Sequence, residues 1–196
     1  MAYGVRMRSL RARVVRVMLG ALVVASLAGC AASPVPAPTA PATPDAAAPL
    51  FASDEEALAA AEEAYGAYQA AFDSVSASGG AEVDALETVA SGVALERARS
   101  SAADLLAAGA RGIGDTSFSI HKVQSMEYAS PAETRIALYV CDDVSGADLL
   151  DAKGDSLVLP DRPTLVPFEI VLAATERGLL ILAEKNFWAG ESYCSG

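Results

Sequence analysis

The hydrophobic period of this chain changes once, near Gly112, and that change limits the fold more than any other feature. Before it, apolar residues recur at spacings of three and four; after it, they fall at every second position. The first spacing is that of an amphipathic helix and the second that of a half-buried strand. Helices followed by a run of strands imply an α+β domain in which helices cover one face of an antiparallel sheet.

The helical half opens at Ser53. Ser53-Asp54-Glu55-Glu56 is a capping box, with acids in the first turn, where the helix dipole favours them. Leu58, Ala61, Tyr65, Tyr68, Phe72 and Val75 form one stripe, and Gly79-Gly80 ends it. Val83, Leu86 and Val89 mark a second helical segment, broken near Ser91-Gly92. A third carries Leu95, Ala98, Ala102, Leu105 and Leu106 and stops at Gly109. Four strands are then expected, over 116–128, 133–144, 165–174 and 179–188. In the first, Phe118, Ile120, Met126 and Tyr128 share one parity, with Ser117, Ser119, His121 and Glu127 on the other. In the second, Ile136, Leu138 and Val140 oppose Arg135, Ala137 and Tyr139. Ala152-Lys153-Gly154-Asp155 and Thr175-Glu176-Arg177-Gly178 read as turns. Phe187 and Trp188 are expected to be core aromatics.

The first 52 residues follow other rules. Arg6, Arg8, Arg11, Arg13 and Arg16 precede the apolar run Val17–Gly29, and residues 1–30 contain no acid. A basic start, a short apolar core and small residues at its end read as a secretory signal, because the run is short of the ~20 residues a membrane span needs. The run closes on Leu27-Ala28-Gly29-Cys30, which resembles the lipobox of bacterial lipoproteins. The resemblance implies diacylglyceryl transfer to the Cys30 sulfur, cleavage before Cys30, and a lipid-anchored N-terminus on the extracytoplasmic face of the cell membrane. Two acyl chains hold far better than one, since each buried CH₂ adds roughly 0.8 kcal/mol. Residues 1–29 are therefore the expected signal peptide. Residues 30–52, with Pro34, Pro36, Pro38, Pro41, Pro44 and Pro49 among Ala, Thr and Ser, are the expected tether. Residues 53–196 are the expected domain.

The element order from Ser53 to Cys194 resembles the nuclear-transport-factor-2-like superfamily, the cone-shaped fold shared with ketosteroid isomerases and polyketide cyclases. The likeness rests on a long first helix, the Leu86–Gly109 helical stretch, and strands holding Leu138-Tyr139-Val140-Cys141-Asp142 and Phe187-Trp188. It looks closest to small secreted or lipid-anchored members from actinobacteria. A cystatin-like helix-on-sheet is the alternative, and it would place fewer helices before its strands.

With Cys30 assigned to lipid, Cys141 and Cys194 remain as an even pair in an exported domain, which favours a disulfide between them. A redox-active or catalytic thiol is the other reading. Against it, no CxxC occurs, and no basic neighbour in sequence lowers either thiol's pKa.

Asp142 is the residue with most chemical promise. Alternation continued from Ile136, Leu138 and Val140 points it toward the core side of the sheet. There a carboxylate could act as the general base of an isomerase- or cyclase-like enzyme, with Tyr65, Tyr68 and Tyr139 as hydrogen-bond donors lining the pocket. The plainer reading is a strand end, where Asp142-Asp143-Val144-Ser145-Gly146 caps and turns the chain. His121, the only histidine, falls on the polar parity beside Lys122 and reads as a solvated strand residue.

Composition excludes several classes. One histidine rules out a multi-histidine metal site, and Asp142, Asp143, Asp148 and Asp151 match no EF-hand spacing, so neither metal nor cofactor is expected. Without the five N-terminal arginines, 9 basic residues face 25 acidic ones, a formal charge of −16 that phosphate backbones repel. Nucleic acid is therefore not an expected partner. The sequence points to a non-enzymatic lipoprotein that binds a small apolar ligand or an envelope protein, with the enzyme and a structural module of an envelope complex as alternatives. The anchor has a direct test in intact mass of the membrane-extracted chain. A mature N-terminus at Cys30 carrying a diacylglyceryl group is expected; a full-length or unmodified N-terminus would remove the assignment.

Overall fold

The computed structural model describes residues 48–194. The signal peptide, Cys30 and most of the expected tether lie outside the described residues. The fold is α+β. Helix α1 (Asp54–Ala77) is followed by a 3-10 turn (Val83–Thr88), helix α2 (Gly92–Ala108) and six strands: β1 (Arg111–Ile113), β2 (Ser117–Glu127), β3 (Arg135–Asp143), β4 (Asp148–Leu150), β5 (Leu165–Ala174) and β6 (Leu180–Phe187). Strands β2-β3-β5-β6 form an antiparallel sheet in that order, and β1 pairs with β4 in a separate antiparallel ribbon.

Helix α1 starts where its caps put it. The Ser53 side chain accepts from the Glu56 N–H, and Glu56 in turn accepts from the Ala52 N–H. Its two ends are tied to β2 in the opposite sense. Asp54 accepts from the Tyr128 hydroxyl at 2.6 Å, and Asp73 accepts from the Thr116 N–H and hydroxyl at 2.9 and 3.1 Å. The helix therefore runs antiparallel to β2 and cannot slide along it. Gly80 follows at φ 87°, where a Cβ would sit 2.1 Å from the Ala102 carbonyl oxygen, so only glycine lets the chain turn this close to α2. Ala94, Ala98 and Ala102, four apart, bury the face of α2, and their small side chains permit that approach.

The core lies between the helices and the inner face of the sheet. Tyr65, Val75, Leu86, Ile136, Leu138, Val140, Ile170, Leu172 and Leu182 are fully buried in it. On the outer face, a disulfide joins Cys141 to Cys194, 53 residues apart, and holds the C-terminal tail against β3. Closing a loop of that length stabilises the fold by about 4 kcal/mol in the chain-entropy model. Tyr193 is held there too: its hydroxyl donates to the carbonyls of Val140 and Phe168 at 3.3 and 2.7 Å, and its ring stacks on His121. The core cluster and both cysteines all fall between Phe51 and Cys194, so this segment has what independent folding requires.

Several expectations need correction. The domain begins before Ser53: the Leu50 N–H bonds to the Tyr128 carbonyl, and the Phe51 ring packs edge-on against Tyr128. The second helical segment is a 3-10 turn that buries only Leu86. Alternation along β2 is broken by bulges between Ile120 and Lys122 and between Val123 and Ser125. The inward set is Phe118, Ile120, Val123 and Met126, because each extra residue shifts the parity once and two shifts restore it. Leu106 and Phe187 are about two-thirds exposed rather than in the core, and Trp188 is half-buried outside the core, packed against Tyr139 and Tyr193 on the outer face. The short strands β1 and β4 carry too few residues to show a period.

Candidate functional site

Asp142 faces inward, as alternation along β3 requires, and it is 2% exposed. A buried carboxylate is costly unless it is paired and hydrogen-bonded. Both conditions are met. The Tyr65 hydroxyl donates to both carboxylate oxygens, at 2.9 and 3.1 Å. The Lys185 ammonium donates to Oδ2 at 2.6 Å.

Lys185 reaches this place because of a bulge. Directly paired residues share a face, and β6 pairs Leu182 with Leu172 but Lys185 with Ile170, both buried on the inner face. Leu182 and Lys185 are three apart and would oppose each other in a regular strand. The register shift opposite Val171/Leu172 places both inward. From there the Lys185 Nζ passes over the Phe168 ring, 4.4 Å from its centroid, with the Tyr65 and Tyr68 rings at 5.4 and 5.5 Å. Three ring faces and one carboxylate replace most of its water, an arrangement that suits a desolvated cation. Burial, then the Asp142 charge, pushes the Tyr65 phenol well above its ordinary value. The same two causes push Tyr68 up to about 12. Tyr65 thus remains a donor to Asp142 across the neutral range.

Of the four expected pocket residues, Tyr65, Tyr68 and Asp142 come together. Tyr139 does not: it lies on the outer face of β3, edge-on to Trp188 and Tyr193. Its odd parity relative to Asp142 could have excluded it. His121 is exposed at the first β2 bulge and stacks on Tyr193, away from Asp142. Among the described residues, no group of three or more His, Cys, Asp and Glu could hold a metal.

A cavity of about 260 Å³ adjoins the pair, lined by Tyr68 and Phe72 of α1, Arg97 and Ser101 of α2, Phe168 and Lys185. Arg97 is fixed at its rim, donating from Nη1 to the Lys185 carbonyl at 2.7 Å and to Asn186 Oδ1 at 2.8 Å. Lys185 and Arg97 were both missed by sequence reasoning. The one available signal was the demand of an inward carboxylate for a cation on a facing element. Chemically, the arrangement holds Asp142 closed, with both oxygens occupied, and presents cationic and aromatic groups to the cavity instead.

No protein-family model and no curated protein matches the sequence. Among solved structures, the crystal structure of the intermembrane space region of chloroplast protein ARC6 is similar, at 16% identity and a TM-score of 0.49, over 66% of this chain and 95% of that one.

The pairing of Asp142 with Lys185 is testable by a double-mutant cycle. Lys185→Met leaves a buried carboxylate with Tyr65 alone and is expected to cost about 3 kcal/mol. Adding Asp142→Asn should recover at least ~1 kcal/mol relative to the sum of the single costs in denaturant unfolding. Strictly additive costs would show that the two groups do not interact.

Proposed function

We propose that this chain is a lipid-anchored, extracytoplasmic binding module with no catalytic role, built on a nuclear-transport-factor-2-like domain that takes a small apolar ligand between its helices and its sheet. The observation that carries the reading is the cavity beside Lys185, which is lined by both helices and by β5 and β6 and includes three aromatic rings in its wall. Such sites are concave and mostly apolar, with few polar groups. The Cys141–Cys194 disulfide supports export, because such bridges persist in oxidising compartments. The Leu27-Ala28-Gly29-Cys30 motif supports the membrane anchor.

The enzyme reading loses ground on geometry. A general base must reach a substrate proton within hydrogen-bond distance. Asp142 is buried, and its oxygens are engaged by Tyr65 and Lys185. A protein partner is the second reading, favoured by Ile113, Leu157 and Leu159, all at least 40% exposed around one depression beside the β1–β4 ribbon.

Native mass spectrometry of residues 48–196, secreted from a bacterial host so that the disulfide forms, distinguishes the two. A bound mass lost on denaturation is expected. A clean apo mass that persists when lipid extract is added would favour the protein partner and count against the ligand.

A further inference from the structure

Taking the ligand-binding reading as its basis, we infer that the cavity is selective for a singly charged anionic amphiphile, a carboxylate on an apolar body, with Arg97 as the residue that recognises the charge. Three observations converge on this chemistry. The first is charge. The residues that line the cavity include two cations and no acid, in a chain with 25 acidic residues against 14 basic ones. Lys185 is balanced by Asp142 behind it, whereas Arg97 forms no salt bridge among the described residues. One positive charge is thus left over at the cavity.

The second observation is donor capacity. Lys185 Nζ has three donors and uses one, on Asp142, among the described residues. Arg97 spends Nη1 on the Lys185 carbonyl and Asn186, which leaves Nη2 and Nε without a described partner. Those backbone and amide contacts hold the guanidinium plane in place, and a planar fork matches a carboxylate in two parallel bonds. The third is the wall. Tyr68, Phe72 and Phe168 supply apolar surface for a chain or ring, and the side-chain acceptors in the lining are the neutral hydroxyls of Tyr68 and Ser101, with no carboxylate for a cationic head. A cationic head would meet Lys185 and Arg97 directly, and a neutral hydroxyl head would accept at a single oxygen without balancing the charge.

A matched set of ten-carbon probes tests this on residues 48–196, with decanoate and decyltrimethylammonium kept below their micelle concentrations and decanol below its solubility. Binding is read by calorimetry and by chemical shifts of the Arg97 Nε–H and Lys185 signals. Decanoate is expected to bind at least about tenfold more tightly than decanol, with decyltrimethylammonium weakest of the three. In Arg97→Gln, an exposed substitution checked by its melting curve, the preference for acid over alcohol should fall to about threefold or less. Equal binding of acid and alcohol would overturn the anion selectivity while leaving an apolar pocket. A preference unchanged in Arg97→Gln, or shifts confined to other residues, would overturn the assignment to this cavity. Failure of all three probes to bind would overturn the small-ligand reading itself.

Discussion

An ionised side chain inside an apolar core is a demand that the surrounding fold must meet, and in this protein Asp142 makes that demand. It sits at the end of the most buried strand, on the face that carries Ile136, Leu138 and Val140. Satisfying it takes the Tyr65 hydroxyl from the first helix and the Lys185 ammonium from the last strand. Those two groups are 120 positions apart, so the contact closes the domain from one end of its sequence to the other. Removing Lys185 would leave a buried charge without its match, which costs more than the pair itself contributes, whereas removing the Tyr65 hydroxyl would cost a hydrogen bond and leave the ion pair in place.

The elements around the pair hold this closure in place. Helix α1 is tied to β2 at both ends, which fixes the height of Tyr65 above the sheet. The alanine face of α2 and the Gly80 turn bring the second helix close and set Arg97 over the end of β6. On the opposite face of the sheet, the disulfide and Tyr193 clamp β3 and β5 just behind Asp142. Among the described residues, the polar groups on the inner face of the sheet gather at Asp142 and Lys185, and that spot borders the cavity.

Much of the architecture was legible from residue pattern alone. The capping box at Ser53, the glycine stops at Gly79-Gly80 and Gly109, and the switch of period after Gly112 each have a local cause, and each element formed where that cause lay. The inward turn of Asp142 and the pairing of Cys141 with Cys194 followed from parity and from cysteine count. What escaped was everything that depends on a bulge. A bulge adds one residue and reverses which side chains face inward, and nothing in Leu182-Ala183-Glu184-Lys185 announces one. Val123 turned inward for the same reason on β2. Lys185 was therefore not among the expected site residues, although it is the counter-ion of Asp142, the one buried acid among the described residues. Phe187 misled in the other direction: its parity is inward, but it lies at the end of its strand, where no helix covers it.

The central claim is that the Lys185 ammonium is sequestered on Asp142 rather than free in water. Side-chain ¹H–¹⁵N spectroscopy of the lysine ammonium groups addresses it directly at neutral pH, with Lys185 assigned by substitution. An ammonium held by a carboxylate under aromatic rings should exchange its protons slowly and give a sharp signal, unlike the exposed Lys153. A Lys185 signal lost to exchange as fast as that of Lys153 would place it in solvent, leave Asp142 without its counter-ion, and contradict the account.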